Sequence, residues 1–270
     1  MLSCAAVADE VKKPRVFLLG VDGLSLERLA QVKTPSLDAL IQYPAFTGGK
    51  LDTRTEQATL SGPGWTTILT GAWADEHGVL NNEVGPAKRP SIFQQLATIG
   101  TGTGGDSLEL YSLVGWPEIH TRLFPNHTEY VKESYHPSIF ADQRNVAKVF
   151  EILEKESPYF IFLQLDSPDA AAHRFCFGSV YDKSLRGVDE VVGELKLALD
   201  HRETLYGEEW LFILVADHGL RQDGCGHGGQ SRLEREIPLM TNVSVPSFET
   251  RKNIPQSAIA RVILGYLSEE

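Results

Sequence analysis

Three apolar runs in this sequence are each followed by side chains that bind metal ions. The runs are residues 16–21, 159–165 and 211–216. The side chains that follow them are Asp22, Asp169, His173, Asp217, His218 and, nine positions beyond His218 in a glycine-rich loop, His227. Imidazole nitrogen and carboxylate oxygen are the ligands that zinc takes, and less specifically manganese or iron. Six such ligands are enough for two ions, so the pattern predicts a two-metal centre.

The metal interpretation competes with a structural one. An isolated Asp after a strand is commonly a turn former or a helix cap, and a lone His beside an apolar run is commonly a packed core residue. The remaining histidines do not follow comparable runs; they are His77, His120, His127, His136 and His201. The three that do are therefore not a random sample, and the combination favours a metal centre.

A candidate nucleophile lies between the first and second runs. Ser61 opens the segment SGPGWTTILTG, and Pro63 predicts a helix that begins around Gly64. Ser61 would then face the exposed amides and the positive end of the helix dipole, where a phosphate or sulfate binds well. A metal beside the hydroxyl would lower its pKa and make it a nucleophile near neutral pH. The alternative is that Ser61 only caps the helix.

The order of the motifs resembles the alkaline phosphatase superfamily, in its type I nucleotide pyrophosphatase/phosphodiesterase-like branch. The motifs that carry the resemblance are VDGL (21–24), TPSLDAL (34–40), SGPGWTTILTG (61–71), DEHGVLNN (75–82), SPDAAAH (167–173), and VADHG with GHGG (215–219 and 226–229). They follow the family order over nearly the whole chain. An ordered set of this kind is far more specific than any single motif.

The resemblance implies a role for each of these residues. One zinc is expected on Asp22, Asp217 and His218, and a second on Asp169, His173 and His227. Ser61 matches the family nucleophile. Such enzymes attack phosphorus in line, form a covalent phospho-enzyme and release it with an activated water, while the two metals stabilise the charge on the entering and leaving oxygens. The expected function is therefore cleavage of phosphodiester or pyrophosphate bonds through a phospho-serine.

Two positions after the nucleophile depart from related patterns and bear on substrate binding. Gly64 has no side chain to hold a phosphoryl oxygen, which leaves that task to backbone amides or to another side chain. Trp65 stands where sulfatases carry Arg. An exposed Trp65 could stack on a nucleobase or an aryl leaving group, although a Trp in an apolar helix is more often core. The alternatives left open are a phosphomonoesterase, a sulfatase or phosphonate hydrolase, and a non-catalytic binding protein on the same fold.

The predicted fold is α/β, with a mostly parallel central sheet, helices on both faces, an alkaline-phosphatase-like arrangement and a minimal cap. The pattern predicts strands at residues 15–21, 159–165 and 237–240, and helices at 35–42, 90–98, 142–156, 181–202 and 256–267. We expect a leader over residues 1–14 and a single catalytic domain over 15–270. Residues 104–137 are expected to form a cap-like insertion that shapes the substrate pocket.

Composition and charge limit the kinds of partner that the chain can bind. The chain has 270 residues, 42% hydrophobic, and a formal net charge of −11 without a Lys/Arg cluster. Phosphate-backbone binding needs dense positive charge, so a nucleic-acid track is excluded. A small phosphorylated substrate such as a nucleotide can still bind, because metals supply local charge. No run reaches the ~18 apolar residues that a transmembrane segment needs, and oligomeric state is not predicted.

Cysteines and the N-terminus bear on location. Cys4, Cys176 and Cys225 predict no disulfide framework, and the small size of Cys225 suits a tight loop. The segment AAVADE (5–10) resembles the end of a secretory signal without its basic and apolar parts. Together with the export habit of the family, it predicts a periplasmic or secreted protein.

Overall fold

The computed structural model describes residues 12–50, 56–100, 108–126, 132–135 and 141–268. Within these residues, eight strands form one sheet in the order β4-β3-β5-β1-β6-β7-β2-β8. The strands are β1 (Lys13–Val21), β2 (Ile41–Phe46), β3 (Leu110–Val114), β4 (Lys132–Tyr135), β5 (Phe160–Leu165), β6 (Glu208–Ala216), β7 (Glu236–Thr241) and β8 (Ile254–Pro255).

The sheet is mostly parallel. Strands β4, β3, β5, β1 and β6 run in one direction, and β7 is antiparallel to both of its neighbours, β6 and β2. Strand β8 adds a short parallel edge next to β2. The predicted mostly parallel α/β fold is therefore confirmed.

Helices cover both faces of this sheet. They are α1 (Leu26–Leu29), α2 (Pro35–Asp38), α3 (Ser61–Thr70), α4 (Ala74–His77), α5 (Ile92–Gly100), α6 (Ala141–Lys155), α7 (Ser167–Phe175), α8 (Ser179–Tyr206), α9 (Arg232–Arg235), α10 (Pro246–Glu249) and α11 (Ile259–Ser268). Helices α6 and α8 pack together beside β5 and β6, while α11 packs with α3 and α5 beside β1. A π-helix (Ile119–Leu123) and a 3-10 helix (Gln256–Ala258) complete the described elements.

The three central strands are apolar because they are covered on both faces. Residues 16–21 of β1, all of β5 and residues 210–216 of β6 are buried. Strand β1 lies between the other two, and Val21 is in register with Leu165 on one side and with Ala216 on the other. The three strands therefore end at the same level of the sheet, which brings the residues that follow them to one edge.

Two predicted element bounds near the N-terminus need correction. The helix expected at 35–42 is a single turn, Pro35–Asp38, and the chain enters β2 at Ile41. The strand forms because Ile41–Phe46 pairs with β7 along its whole length. Strand β1 begins at Lys13, two residues before the predicted start at Arg15. Residues 1–11 of the expected leader lie outside the described residues.

In its described part, the region where a cap-like insertion was expected, 104–137, contributes two strands to the sheet. Strand β3 pairs with β5, and β4 pairs with β3. All five residues of β3 are buried, which explains why the segment joins the core. Residues 101–107 and 127–131, including His127, lie outside the described residues.

None of the described helices is both long enough and apolar enough to span a bilayer.

Candidate active site

The predicted ligands converge at the edge of the sheet where β1, β5 and β6 end. Their ligand atoms form two overlapping groups in which all atoms lie within 4.8 Å of one another: Asp22, Asp217 and His218, and Asp169, His218 and His227. The first group coincides with one predicted set. In the second, His218 occupies the position that the sequence led us to expect for His173.

The first group is fully enclosed. Asp22 follows β1, and Asp217 and His218 follow β6; all three are at most 1% exposed. Nε2 of His218 lies 3.5 Å from Asp22 Oδ1 and 3.3 Å from Asp217 Oδ2. The backbone N–H of Gly23 donates to Asp217 Oδ1 at 3.3 Å. Gly23 has φ 59°, and a Cβ there would lie 2.6 Å from Asp169 Oδ1. Only glycine therefore allows α7 to approach the end of β1 this closely.

The second group lies nearer the surface. Asp169 and His173 are four residues apart on α7, which places them on the same helix face. His173 Nε2 is 3.2 Å from Asp169 Oδ2 and 3.0 Å from His227 Nε2. His227 Nε2 is 3.6 Å from Asp169 Oδ1. The His173 side chain is 53% exposed, so it forms the mouth of the site while Asp169 and His227 form its floor.

Two of the imidazoles are oriented by backbone carbonyls. His218 Nδ1 is 3.1 Å from the carbonyl oxygen of Gly219, and His227 Nδ1 is 2.7 Å from that of Thr59. Since a carbonyl only accepts, each Nδ1 carries the proton and each Nε2 has a free lone pair. The two rings stack with centroids 3.7 Å apart, which brings both lone pairs to the carboxylates. This arrangement is typical of imidazoles that bind a metal through Nε2.

The chemistry of these donors fits divalent cations. Asp169 Oδ1 and Asp217 Oδ2 are buried and have no hydrogen-bond partner among the described residues. Burial raises the pKa of Asp22 and Asp217 well above the usual range, and neighbouring carboxylates raise it further. Buried charges of one sign need a partner of the opposite sign. Divalent cations bound at this edge would supply that partner and would satisfy both oxygens.

The histidines are suited to the same task. Burial lowers the pKa of His218 to about 3 and also lowers that of His227, so both are neutral at physiological pH. Burial disfavours the charged form of Asp169, but the hydrogen bond from His173 and the nearby imidazoles outweigh it and lower its pKa. Neutral imidazole and ionised carboxylate are the forms that bind metals.

Ser61 lies directly against the first group. Its Oγ is 3.4 Å from Asp22 Oδ1 and 3.4 Å from His218 Nε2. Ser61 is the first residue of α3, three residues earlier than the predicted start, and the residue before the helix is Leu60. Ser61 therefore does not act as the side-chain cap, and its hydroxyl faces the predicted ligands instead.

The two residues expected to contact substrate have other contacts. Trp65 is fully buried, and its Nε1–H donates to Asp22 Oδ2 at 2.9 Å. It cannot stack on a substrate, so that prediction is wrong. The amide of Gly64 donates to the carbonyl of Leu60 within the helix, and a Cβ at Gly64 would lie 2.8 Å from the carbonyl oxygen of Asp217. Gly64 thus permits close packing of α3 against the end of β6 rather than binding a phosphoryl oxygen.

Three supporting residues were not identified from the sequence. Gln164, buried in β5, donates from Nε2 to Asp22 Oδ2 at 3.2 Å. Asn82 accepts from the backbone N–H of Gly62 through Oδ1 at 2.7 Å, which places its carboxamide beside the first turn of α3. Gln256 donates to the carbonyl of Asp217 at 2.8 Å. Asn82 could have been identified from the sequence, because it lies in the motif DEHGVLNN. Gln164 and Gln256 lie in no motif, so there was no reason in the sequence to select them.

A disulfide links the two elements that carry the second group. Cys176 ends α7, and Cys225 lies two residues before His227; the two cysteines are bonded and 49 residues apart in sequence. The expectation that the cysteines form no disulfide is wrong. The bond arises because α7 and the loop after β6 meet at the same edge of the sheet, where the backbone N–H of Phe177 also donates to the carbonyl of Asp223. Cys4 lies outside the described residues.

The fold and the ordered motifs agree with a comparison of the chain with known families. The model of the type I phosphodiesterase/nucleotide pyrophosphatase family matches residues 16–99 and 112–230. The matched ranges include Ser61 and all six predicted ligands. The chain belongs to this family.

Two curated relatives illustrate the distance within the family. The chain is 22% identical over 232 residues to the human ectonucleotide pyrophosphatase/phosphodiesterase family member 1, covering 78% of this chain and 24% of that protein. It is also 22% identical over 249 residues to the bovine bis(5'-adenosyl)-triphosphatase ENPP4, covering 83% of this chain and 53% of the relative. The chain thus spans between about a quarter and about half of the length of these relatives.

Solved structures confirm the fold. The murine ectonucleotide pyrophosphatase/phosphodiesterase 5, in an inactive variant bound to AMP, superposes with a TM-score of 0.65 at 13% identity over 94% of this chain and 95% of that one. The phosphonate monoester hydrolase of Agrobacterium radiobacter superposes with a TM-score of 0.63 at 13% identity, over 94% of this chain and 74% of that one. Neighbours with such different reactions share the architecture, so the reaction has to be argued from the site.

Proposed function

We propose that this chain is a metal-dependent hydrolase that cleaves phosphodiester or pyrophosphate bonds through a covalent phospho-serine on Ser61. The observation that carries the proposal is the position of Ser61 Oγ, 3.4 Å from both Asp22 Oδ1 and His218 Nε2. A hydroxyl in contact with two predicted metal ligands is placed where a bound cation would contact it as well. Family membership supports the same reaction class.

Two divalent cations, zinc by the ligand chemistry, are proposed as cofactors. Asp22, Asp217 and His218 would hold one, and Asp169, His227 and His173 the other, with His218 close to both. When bound, such ions lower the pKa of a hydroxyl or water and stabilise charge on the oxygens of a phosphoryl group.

The chain's own residues then define the reaction. Ser61 Oγ loses its proton to solvent and bonds to phosphorus, the bond to the leaving oxygen breaks, and that oxygen takes a proton from water. A second water hydrolyses the phospho-serine, which restores the hydroxyl and releases the phosphorylated product. Ser61 is only 6% exposed, so packing holds its hydroxyl against the predicted ligands.

Asn82 is proposed to hold a phosphoryl oxygen during both steps. Its Oδ1 is fixed by the N–H of Gly62, the residue after the nucleophile. Because one end of the carboxamide is fixed next to the nucleophile, the Nδ2 donor at the other end would be preorganised for a phosphoryl oxygen. Asn82 thereby takes the role that the sequence could not assign to Gly64.

A nucleotide is the substrate class that the relatives support. One relative is named a bis(5'-adenosyl)-triphosphatase, and one structural neighbour was solved with AMP. A periplasmic or secreted location is proposed with it, because the disulfide between Cys176 and Cys225 needs an oxidising compartment.

The test is the hydrolysis rate of the zinc-loaded protein on the p-nitrophenyl ester of thymidine 5'-monophosphate compared with p-nitrophenyl phosphate, with chelator-treated protein as the blank. We expect a preference for the diester that is lost with chelator. A monoester preference would make the chain a phosphatase, and no metal-dependent rate on either substrate would favour a sulfatase, a phosphonate hydrolase or a binding protein.

Ser61→Ala tests the nucleophile in the same assay. Loss of the attacking oxygen should lower kcat by at least about 10³-fold, while zinc content stays unchanged because Ser61 is not a proposed ligand. Ser184→Ala, on α8, is the matched control and should keep full activity. Unchanged activity of Ser61→Ala would exclude the covalent mechanism.

A further inference from the structure

Arg221 is a cation in the same loop as the proposed metal ligands. The loop runs from Asp217, at the end of β6, to His227. It is closed by two backbone hydrogen bonds: the N–H of Arg221 donates to the carbonyl of Gly226 at 2.8 Å, and the N–H of Gly224 donates to that of Arg221 at 2.8 Å. The backbone of Arg221 is therefore held in place independently of its side chain.

The guanidinium of Arg221 lies close to the second ligand group. A Cβ on Gly226, the residue before His227, would lie 2.7 Å from Arg221 Nη2. The side chain thus folds back over the backbone of Gly226, next to His227.

Arg221 has no carboxylate partner within the described part of the chain. The ion pairs found there include those of Arg28, Arg89, Arg202 and Arg232, but none of Arg221. Arg221 is exposed, and it lies in the loop between His218 and His227 of a chain with a net charge of −11. A guanidinium that stays unpaired in an acidic protein, beside a site for phosphoryl groups, is available to a ligand.

The charge balance of the site indicates which ligand. Two divalent cations carry four positive charges, and the three carboxylates of the two groups carry three negative charges; these are Asp22, Asp169 and Asp217. With neutral histidines, the loaded site would therefore have one net positive charge. A phosphodiester monoanion neutralises that charge. A substrate with a second phosphoryl group carries further negative charge that the metal centre does not balance, and a planar guanidinium binds such a group through paired hydrogen bonds.

We propose that Arg221 binds a second, non-reacting phosphoryl group of the substrate, so that the site selects phosphoric anhydrides over diesters with an uncharged leaving group. The assignment rests on the proposed function, because it takes the reacting phosphoryl group to lie between Ser61 and the two ligand groups. It makes Arg221 a specificity-determining residue for pyrophosphate bonds.

The first experiment measures binding without turnover. Zinc-loaded protein is titrated calorimetrically with methylenediphosphonate, which carries two phosphoryl groups, and with methylphosphonate, which carries one. Loss of a charge-assisted hydrogen-bond pair should weaken methylenediphosphonate by about 10- to 100-fold in Arg221→Gln. Methylphosphonate should weaken by less than about 3-fold, and Arg221→Lys should lie between Arg221→Gln and the unchanged protein.

Two controls exclude a structural effect. Arg251→Gln removes another exposed arginine without an ion pair in the described residues, on the segment before β8, and should leave both affinities unchanged. Zinc content is measured for each variant, since a disturbed loop would release metal. Equal weakening of both ligands in Arg221→Gln, or no weakening of either, would overturn the assignment.

Kinetics separate this inference from the proposed function. Arg221→Gln should lower kcat/KM for ATP by at least about 10-fold more than for the p-nitrophenyl ester of thymidine 5'-monophosphate. If the unchanged protein hydrolyses neither substrate, the proposed function fails, and the ratio of the two phosphonate affinities still decides the role of Arg221.

Discussion

Side chains that donate hydrogen bonds to the predicted ligands affect how well this site can hold a cation. Asp22 faces Ser61 and His218 with Oδ1, and its Oδ2 accepts from Trp65 Nε1 at 2.9 Å and Gln164 Nε2 at 3.2 Å. These two donors fix the rotation of the carboxylate. They also partly offset the cost of burying its charge, because a buried charge needs hydrogen bonds as well as a partner.

Trp65→Phe tests this support. The substitution keeps an aromatic ring and removes the indole donor, so we expect zinc affinity at the first group to fall by about 10- to 100-fold. Trp210→Phe is the matched control, because Trp210 is also buried and donates from Nε1 to a carboxylate, Glu208, away from the site. Both variants should lose about 1–3 kcal/mol of unfolding free energy, but only Trp65→Phe should lose zinc affinity. Equal zinc affinity in both would contradict the role of Trp65.

The convergence of the predicted ligands could be anticipated from the sequence because each follows an apolar run that ends at the same edge of the sheet. Asp22 and Asp217 come directly after β1 and β6, and His173 follows Asp169 by one helical turn. The supporting residues could not be predicted in this way. A Trp such as Trp65 looks the same in a sequence whether its ring packs in the core or its N–H donates to a carboxylate. The structure shows that Trp65 is buried and donates to Asp22.

At the scale of elements, α7 and the loop after β6 together carry the residues proposed to hold the second cation. Asp169 and His173 lie on α7, and His227 lies on the loop. The disulfide between Cys176 and Cys225 joins the two elements next to these residues. The covalent link limits how far His173 and His227 can separate, which preorganises the group for a cation.

The double variant Cys176→Ser, Cys225→Ser tests this link. Opening a loop of 49 residues should cost about 4 kcal/mol of unfolding free energy by the chain-entropy estimate. We expect zinc affinity of the second group to fall by at least about 10-fold, with the first group less affected, as resolved by calorimetric titration. Cys4→Ser removes the third cysteine and should change neither quantity. An equal effect on both groups, or none on the second, would show that the disulfide serves stability alone.

Elements differ in how far the sequence revealed them. Long apolar runs such as β5 and β6 are visible because both faces of these strands are buried. Strand β2 was missed for two reasons. Pro35 correctly predicts a helix start, but the helix is a single turn. Pro44 is unfavourable inside a strand, although here it is paired with Pro238 of β7. The disulfide and strand β3 depend on pairing between residues far apart in sequence, and local patterns do not show such pairing.

At the scale of the whole molecule, one architecture supports several chemistries. The same sheet occurs in a nucleotide pyrophosphatase/phosphodiesterase and in a phosphonate monoester hydrolase. The net charge of −11 does not favour anionic substrates, so attraction has to come from the site itself. Two cations and Arg221 would concentrate positive charge at the one edge of the sheet where β1, β5 and β6 end. The proposed reaction therefore depends on the number of metals that this edge holds.

The most direct test is the rate of hydrolysis of the p-nitrophenyl ester of thymidine 5'-monophosphate as zinc is added stepwise to the chelated protein. We predict little activity with one equivalent and saturation at two, and at least about 10³-fold less activity at every step for Asp217→Asn, which removes a ligand charge. Full activity with one equivalent, or activity that does not depend on zinc or any other divalent ion, would contradict the two-metal site.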